Sequence, residues 1–162
     1  MFEHYTENAK NVMSRAKQEA QKMRHDHIGS EHILLGLLEV KEGVAADILS
    51  HKEIDIPHAK QQIDELVTHK PETEEMDYDS LPHTPHVQTV IDDALTEARQ
   101  LKHNYIGTEH LLLGLLYENN GVGAHVLSNL GLKLDNVRAD VLEFLKRDGY
   151  VNSHKNYGDV AN

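Results

Sequence analysis

No cysteine occurs anywhere in the 162 residues. Disulfide staples, thiolate nucleophiles and thiolate metal sites are therefore excluded, and a reducing compartment fits the composition. Tryptophan is also absent, phenylalanine occurs twice, and all aromatics together make 5% of the chain. A core must come from Leu, Ile, Val and Ala, which favours helices over sheets. Basic residues are the minority, 16 against 27 acidic ones, for a formal charge of −11 with histidine neutral. That deficit argues against a general nucleic-acid binder, which needs a basic face to displace counterions. It argues equally against an anionic membrane surface as partner. Thirteen histidines qualify the balance, because protonation below about pH 6 would cancel most of the negative charge. Long apolar runs are missing too: the longest, Ile33 to Leu38, is far too short to span a bilayer. No Gly-x-x-x-x-Gly-Lys-Ser/Thr loop is present to cradle a nucleotide. The start, Met1-Phe2-Glu3-His4-Tyr5-Thr6, has neither a basic nor an apolar leader region. The expectation is a cytoplasmic, soluble protein without nucleic-acid or membrane partners.

What the chain does contain, it contains twice. His25-Asp26-His27-Ile28-Gly29-Ser30-Glu31-His32-Ile33-Leu34-Leu35-Gly36-Leu37-Leu38 returns as His103-Asn104-Tyr105-Ile106-Gly107-Thr108-Glu109-His110-Leu111-Leu112-Leu113-Gly114-Leu115-Leu116, 78 residues later. The register holds outside this stretch: Thr6 matches Thr84, Ala16 matches Ala94, Gly43 matches Gly121 and Leu49 matches Leu127. Roughly 20 of about 60 aligned positions are identical without a gap, which marks a tandem duplication.

Each half reads as four helices. Thr6 is a good N-cap, and Ala9, Val12, Met13, Ala16, Ala20 and Met23 form the apolar stripe of an amphipathic first helix. Ser30 is the expected cap of a central helix from Glu31 to Val40, apolar on nearly every face and therefore buried. Gly36 and its counterpart Gly114 cost helix propensity, which points to a close helix crossing at both. Gly43 ends the central helix, a short helix runs from Val44 to Leu49, and Pro57 opens a fourth whose inner side is Ile63, Leu66 and Val67. The second half repeats the plan. Thr84 caps, Pro85 sits at the first helical position, and Val87, Val90, Ile91, Ala94, Ala98 and Leu101 make the stripe. Thr108 caps the central helix, Gly121 ends it, and Val137, Val141, Phe144 and Leu145 face the last helix inward. The domain plan is a first repeat over 1–68, an acidic linker over 69–83, a second repeat over 84–147 and a polar tail over 148–162. The fold class is all-α, eight helices as a tandem duplication of a four-helix repeat.

The two Ile-Gly-Ser/Thr-Glu-His stretches, each followed by Ile/Leu-Leu-Leu-Gly-Leu-Leu, resemble the N-terminal domain of Clp-type AAA+ unfoldases, closest to the ClpC branch. Met1-Phe2-Glu3-His4-Tyr5-Thr6 and Leu81-Pro82-His83-Thr84-Pro85 share the resemblance, which covers about residues 1–146. It implies two four-helix halves related by a pseudo-two-fold axis and no catalysis or cofactor in this part of the molecule. The implied role is to dock protein substrates and adaptors for an ATP-driven unfoldase that feeds a Clp peptidase, so Clp ATPase and peptidase subunits are the implied partners. A stand-alone accessory protein of the same fold is the alternative.

The resemblance also implies two quasi-equivalent pockets for phosphorylated arginine. Thr6 and Thr84, at the first helix of each half, would open the phosphate side, and Glu31 and Glu109 would bind the guanidinium. The chemistry suits these residues: a helix N-terminus offers free N–H groups and a positive dipole end, and a carboxylate matches a guanidinium. His86 stands where many relatives carry arginine. A surface for adaptors is implied around Phe2, Lys10, Met13 and Lys17, although Met13 lies on the apolar stripe. Histidines offer a metal alternative, His25, His27 and His32 in one half and His103 and His110 in the other, beside Glu31 and Glu109. No His-Glu-x-x-His spacing supports it, and adjacent Glu-His residues point about 100° apart on a helix, so packing or capping is the expected role and no metal is expected. Nothing in the spacing brings Glu31 and Glu109 together as a hydrolytic acid–base pair.

Overall fold

The computed structural model describes residues 4–67, 80–118 and 120–146. Eight helices occupy them: α1 Glu7–Lys22, α2 Ser30–Glu39, α3 Val44–His51, α4 Ile56–Leu66, α5 Pro85–Gln100, α6 Thr108–Tyr117, α7 Val122–Asn129 and α8 Leu134–Lys146. The protein is all-α, as the patterning predicts, and each repeat supplies four helices. No helix among the described residues is long and apolar enough to cross a membrane. Residues 69–79 of the linker and the polar tail over 148–162 lie outside the described residues.

The two central helices, α2 and α6, are buried along almost their whole length. Each lies tightly under the first helix of its own repeat, and the glycines show why. A Cβ on Gly36 would run into the Val12 carbonyl oxygen of α1, and one on Gly114 would meet the Val90 carbonyl oxygen and, at 3.0 Å, the Ala94 nitrogen of α5. The crossings inferred from these glycines are thus real, and the lost helix propensity is the cost of backbone contact.

The starts of the central helices differ from the sequence reading. Gly29 and Gly107 are the N-caps, not Ser30 and Thr108, which are the first helical residues. The two hydroxyls serve the opposite repeat instead. Ser30 Oγ accepts from the Gly123 N–H of α7 at 2.9 Å, and Thr108 Oγ1 accepts from the Ala45 N–H of α3 at 3.3 Å. Each therefore satisfies a donor that an α-helix leaves free in its first turn. The inner face of α4 also differs: Ala59 and Ile63 are buried, Val67 is half-buried, and Leu66 is 52% exposed.

The repeats are joined crosswise at the backbone as well. Thr6 N–H donates to the Ile106 carbonyl at 3.0 Å and Ile106 N–H to the His4 carbonyl at 2.9 Å. In the mirror position, Ile28 N–H donates to the Pro82 carbonyl at 2.8 Å and Thr84 N–H to the Ile28 carbonyl at 2.9 Å. These are short parallel bridges, Tyr5 with Ile106 and His83 with Ile28. The chain entering each repeat's first helix is laddered onto the Ile-Gly motif of the other repeat. Pro82 and His83, at the end of the stretch read as a solvated connector, are part of this joint.

Candidate functional site

The crosswise joints decide which of the predicted residues share a neighbourhood. Thr6 pairs through its backbone with Ile106, three residues before Glu109, and Thr84 pairs with Ile28, three residues before Glu31. The quartet therefore divides into Thr6 with Glu109 and Thr84 with Glu31, one partner from each repeat. At the first joint Thr6 caps α1, its Oγ1 accepting from the Ala9 N–H at 3.1 Å. At the second, Thr84 holds the cap position of α5, but its Oγ1 makes no hydrogen bond among the described residues.

Both glutamates are buried, Glu31 at 2% and Glu109 at 1% exposure. Each carboxylate folds back over the glycine that caps its own helix. A Cβ on Gly29 would collide with Glu31 Oε1, and one on Gly107 with Glu109 Oε1. The glycine of the Ile-Gly-Ser/Thr-Glu-His motif is thus the floor on which the carboxylate rests. The position suits a negative charge, since the first turn of a helix carries the positive end of its dipole.

The two carboxylates differ in their company. His27 Nε2 lies 3.2 Å from Glu31 Oε2, and His27 Nδ1 lies 2.9 Å from Asp26 Oδ1. The hydrogen bond to Glu31 drives the His27 imidazole up to about pKa 9; burial opposes this and Asp26 adds to it. Burial pushes the Glu31 carboxyl up, but the hydrogen bond from His27 outweighs it and holds it below the usual range. In the second repeat Tyr105 takes the place of His27. Burial, then the charge of Glu109 and a hydrogen bond to it, push the Tyr105 phenol above its ordinary range. Rings stack alike in both halves, His25 on His27 at 5.8 Å and His103 on Tyr105 at 5.0 Å.

The histidines that could ligate a metal are wired for another task. One ligand atom each from His25, Glu31 and His32 lie within 4.8 Å of one another. Yet His32 Nδ1 accepts from the Gly29 N–H at 2.8 Å, so the ring's proton sits on Nε2, which donates to His25 Nδ1 at 2.7 Å. Both His32 nitrogens are committed, and a metal would have to break either the helix cap or the His25–His32 bond. Burial lowers His32 to about pKa 4, in keeping with a neutral ring. The second repeat copies the arrangement: His110 Nδ1 accepts from the Gly107 N–H at 2.8 Å and Nε2 faces His103 Nδ1 at 2.9 Å.

Of the predicted adaptor surface, Phe2 lies outside the described residues. Lys10 is exposed and pairs with Glu7 at 3.7 Å, while Met13 and Lys17 are half-buried on the same side of α1, Met13 against the core. A cleft of about 320 Å³ opens beside the Tyr5–Ile106 bridge, lined by Ile91, Leu95 and Ala98 with His4, Arg99 and Tyr105.

One pair of buried charges was overlooked in the sequence. Glu19 and Glu97, counterparts on α1 and α5, are 0% and 4% exposed. Glu19 is met by Lys60 of α4 at 3.2 Å, and Glu97 by Arg138 of α8, whose Nε is 3.4 Å from Oε2. All four residues obey the repeat register, which was the available signal. His86, at the start of α5, pairs with Glu118 at 2.9 Å.

The comparisons bear on the family and the fold. The family described as Clp repeat (R) N-terminal domain matches over residues 4–94 and 82–157. A probable ATP-dependent Clp protease ATP-binding subunit from Chlamydia pneumoniae is 42% identical over 146 residues, 90% of this chain and 17% of that protein. ClpC of Staphylococcus saprophyticus is 41% identical over 145 residues, again 90% of this chain and 17% of the relative. Chloroplastic ClpC1 of Arabidopsis thaliana is 38% identical over the full 162 residues and 17% of its own length. The chain thus spans about a sixth of the relatives it matches. Among solved structures, the N-terminal domain of ClpD from Arabidopsis thaliana superposes with a TM-score of 0.70 at 24% identity, covering 91% of this chain and 97% of that one. With both repeats matched and the fold shared, the chain belongs to the Clp repeat N-terminal domain family.

Proposed function

We propose that this chain is the docking module through which a Clp-type ATPase receives protein substrates and adaptors, and that its ligand class includes phosphorylated arginine. The observation that carries the reading is the crosswise joint. At two related places a helix N-terminus from one repeat is tied beside the motif carboxylate of the other. A phosphate would lie at the helix N-terminus and a guanidinium at the carboxylate, with charge-assisted hydrogen bonds at both ends. Phosphoserine lacks the second half of this match and free arginine the first. The α1 N-terminus capped by Thr6 supports the phosphate end, and the buried Glu109 carboxylate over Gly107 supports the guanidinium end. The role is binding and requires no cofactor. The cleft beside the Tyr5–Ile106 bridge and the α1 face with Lys10, Met13 and Lys17, together with Phe2 as read from the sequence, are the adaptor side of the proposal.

Calorimetric titration with phosphoarginine tests the ligand class. The expected result is saturable binding, at least tenfold weaker for arginine and for phosphoserine and abolished in the Glu31→Ala/Glu109→Ala double variant. No heat, and no competition for a labelled phosphoarginine peptide, would remove phosphoarginine and leave a module that docks adaptors.

A further inference from the structure

Glu31 and Glu109 occupy equivalent positions, yet their surroundings set them to different work. Both ring nitrogens of His27 face carboxylate oxygens, Nε2 toward Glu31 and Nδ1 toward Asp26. Carboxylate oxygens only accept, so both nitrogens carry protons and the ring is an imidazolium. Its raised pKa agrees with this. No other basic side chain is among the groups that set the state of His27; around it stand the His25 and His32 rings, and His83 lies on the segment paired with Ile28. In the second repeat the same seat holds Tyr105, 4% exposed, a phenol kept neutral by burial and by the charge of Glu109. A guanidinium reaching Glu109 meets a neutral phenol in that seat rather than a competing cation. A guanidinium reaching Glu31 must evict a cation already held by two carboxylates, which exchanges one charge-assisted bond for another with little gain.

Resting on the phosphoarginine reading above, we propose that His27 is a built-in occupant of the Glu31 site. The residue at position 27, with its counterpart at 105, then determines which joint accepts a guanidinium ligand: the Glu109 joint is receptive and the Glu31 joint is filled by the protein's own side chain. The two pockets are unequal, and a client with one mark goes to the joint between Thr6 and Glu109.

Two measurements on the whole chain decide this. In the first, phosphoarginine is titrated into the wild type, Glu109→Ala, His27→Tyr and the His27→Tyr/Glu109→Ala double variant. His27→Asn serves as a second replacement in case tyrosine does not fit. The expected stoichiometry is one site for the wild type, at least tenfold loss of affinity in Glu109→Ala, two sites in His27→Tyr or His27→Asn, and one site in the double variant. Two equal sites in the wild type, or one site that survives Glu109→Ala, overturns the proposal. In the second, the His27 imidazole is titrated by NMR in the wild type and in Glu31→Gln. A midpoint far above that of free histidine, falling in Glu31→Gln, supports the occupant; an ordinary midpoint in the wild type overturns it. If no variant binds phosphoarginine while His27 titrates high, the ligand reading fails and the internal ion pair stands.

Discussion

Two histidines five residues apart respond to pH in opposite directions. His32 is buried and held near pKa 4, below its unfolded value of about 6.5. The folded state therefore binds this proton more weakly, so the His32 contribution is complete above pH 6.5 and is lost as pH falls toward 4. His27 is raised to about 9, so its contribution is complete below pH 6.5 and is lost as pH climbs through 9. Urea unfolding of the wild type and His27→Asn at several pH values checks the second statement: the stability difference should shrink between pH 6.5 and 9. Replacing His32 by alanine leaves the Gly29 N–H without its acceptor and opens space in the core. The expected loss is about 2–4 kcal/mol in denaturant unfolding. His110→Ala should cost a similar amount, because the Gly107 N–H is held in the same way.

At the level of single elements, a local gain can conflict with packing. Gly36→Ala improves α2 as an isolated helix by about 1 kcal/mol. The new methyl group nevertheless meets the Val12 carbonyl of α1, and backbone cannot give way like a side-chain tip. A net destabilisation of about 1–3 kcal/mol is expected, seen as a lower melting temperature. The turn after the third helix of each repeat offers the converse. Glu53 and Gly131 are counterparts, and both have positive φ, 59° and 92°. Only glycine adopts that conformation freely, so Glu53→Gly should stabilise the protein by about 0.5–1 kcal/mol in thermal or denaturant unfolding. Gly131→Ala should cost about 1 kcal/mol, an effect of backbone alone, since nothing lies within 4 Å of the added Cβ.

Over the whole molecule, the repeats are interlocked rather than merely adjacent. Each lends a hydroxyl to cap a helix of the other, and each entering segment is laddered to the other's motif. Separated halves, residues 1–79 and 80–162, lose both sets of bonds and expose the packed faces of α2 and α6. Neither half alone should melt cooperatively, and mixing them should restore helicity by circular dichroism. A half that gives a sigmoidal thermal transition by itself would show that the interlock is dispensable. The buried Glu19–Lys60 and Glu97–Arg138 pairs do not contribute to this interlock, since each joins helices within one repeat.

By itself the sequence determined what depends on neighbouring residues. The 78-residue register, the apolar stripes, Thr6 and Thr84 as cap positions and Pro85 opening its helix identify eight helices and their faces. These are set by a period and by local backbone chemistry, which a string of residues displays directly. Leu66 was misplaced because a stripe one residue wide of the true face looks the same at a helix end. Ser30 and Thr108 look like caps of their own helices, because a hydroxyl's partner across the molecule leaves no mark on its neighbours. Only the tertiary structure decided that Thr6 belongs with Glu109 and Thr84 with Glu31. The repeat shows that the halves are equivalent but not which half faces which. Pairing within a repeat and pairing across repeats fit the same local pattern, and packing two buried central helices into one core selected the second. The unequal surroundings of the two glutamates lie between these limits. The residues His27 and Tyr105 are visible in the sequence, but the carboxylates they meet are defined only once the motif loops have folded.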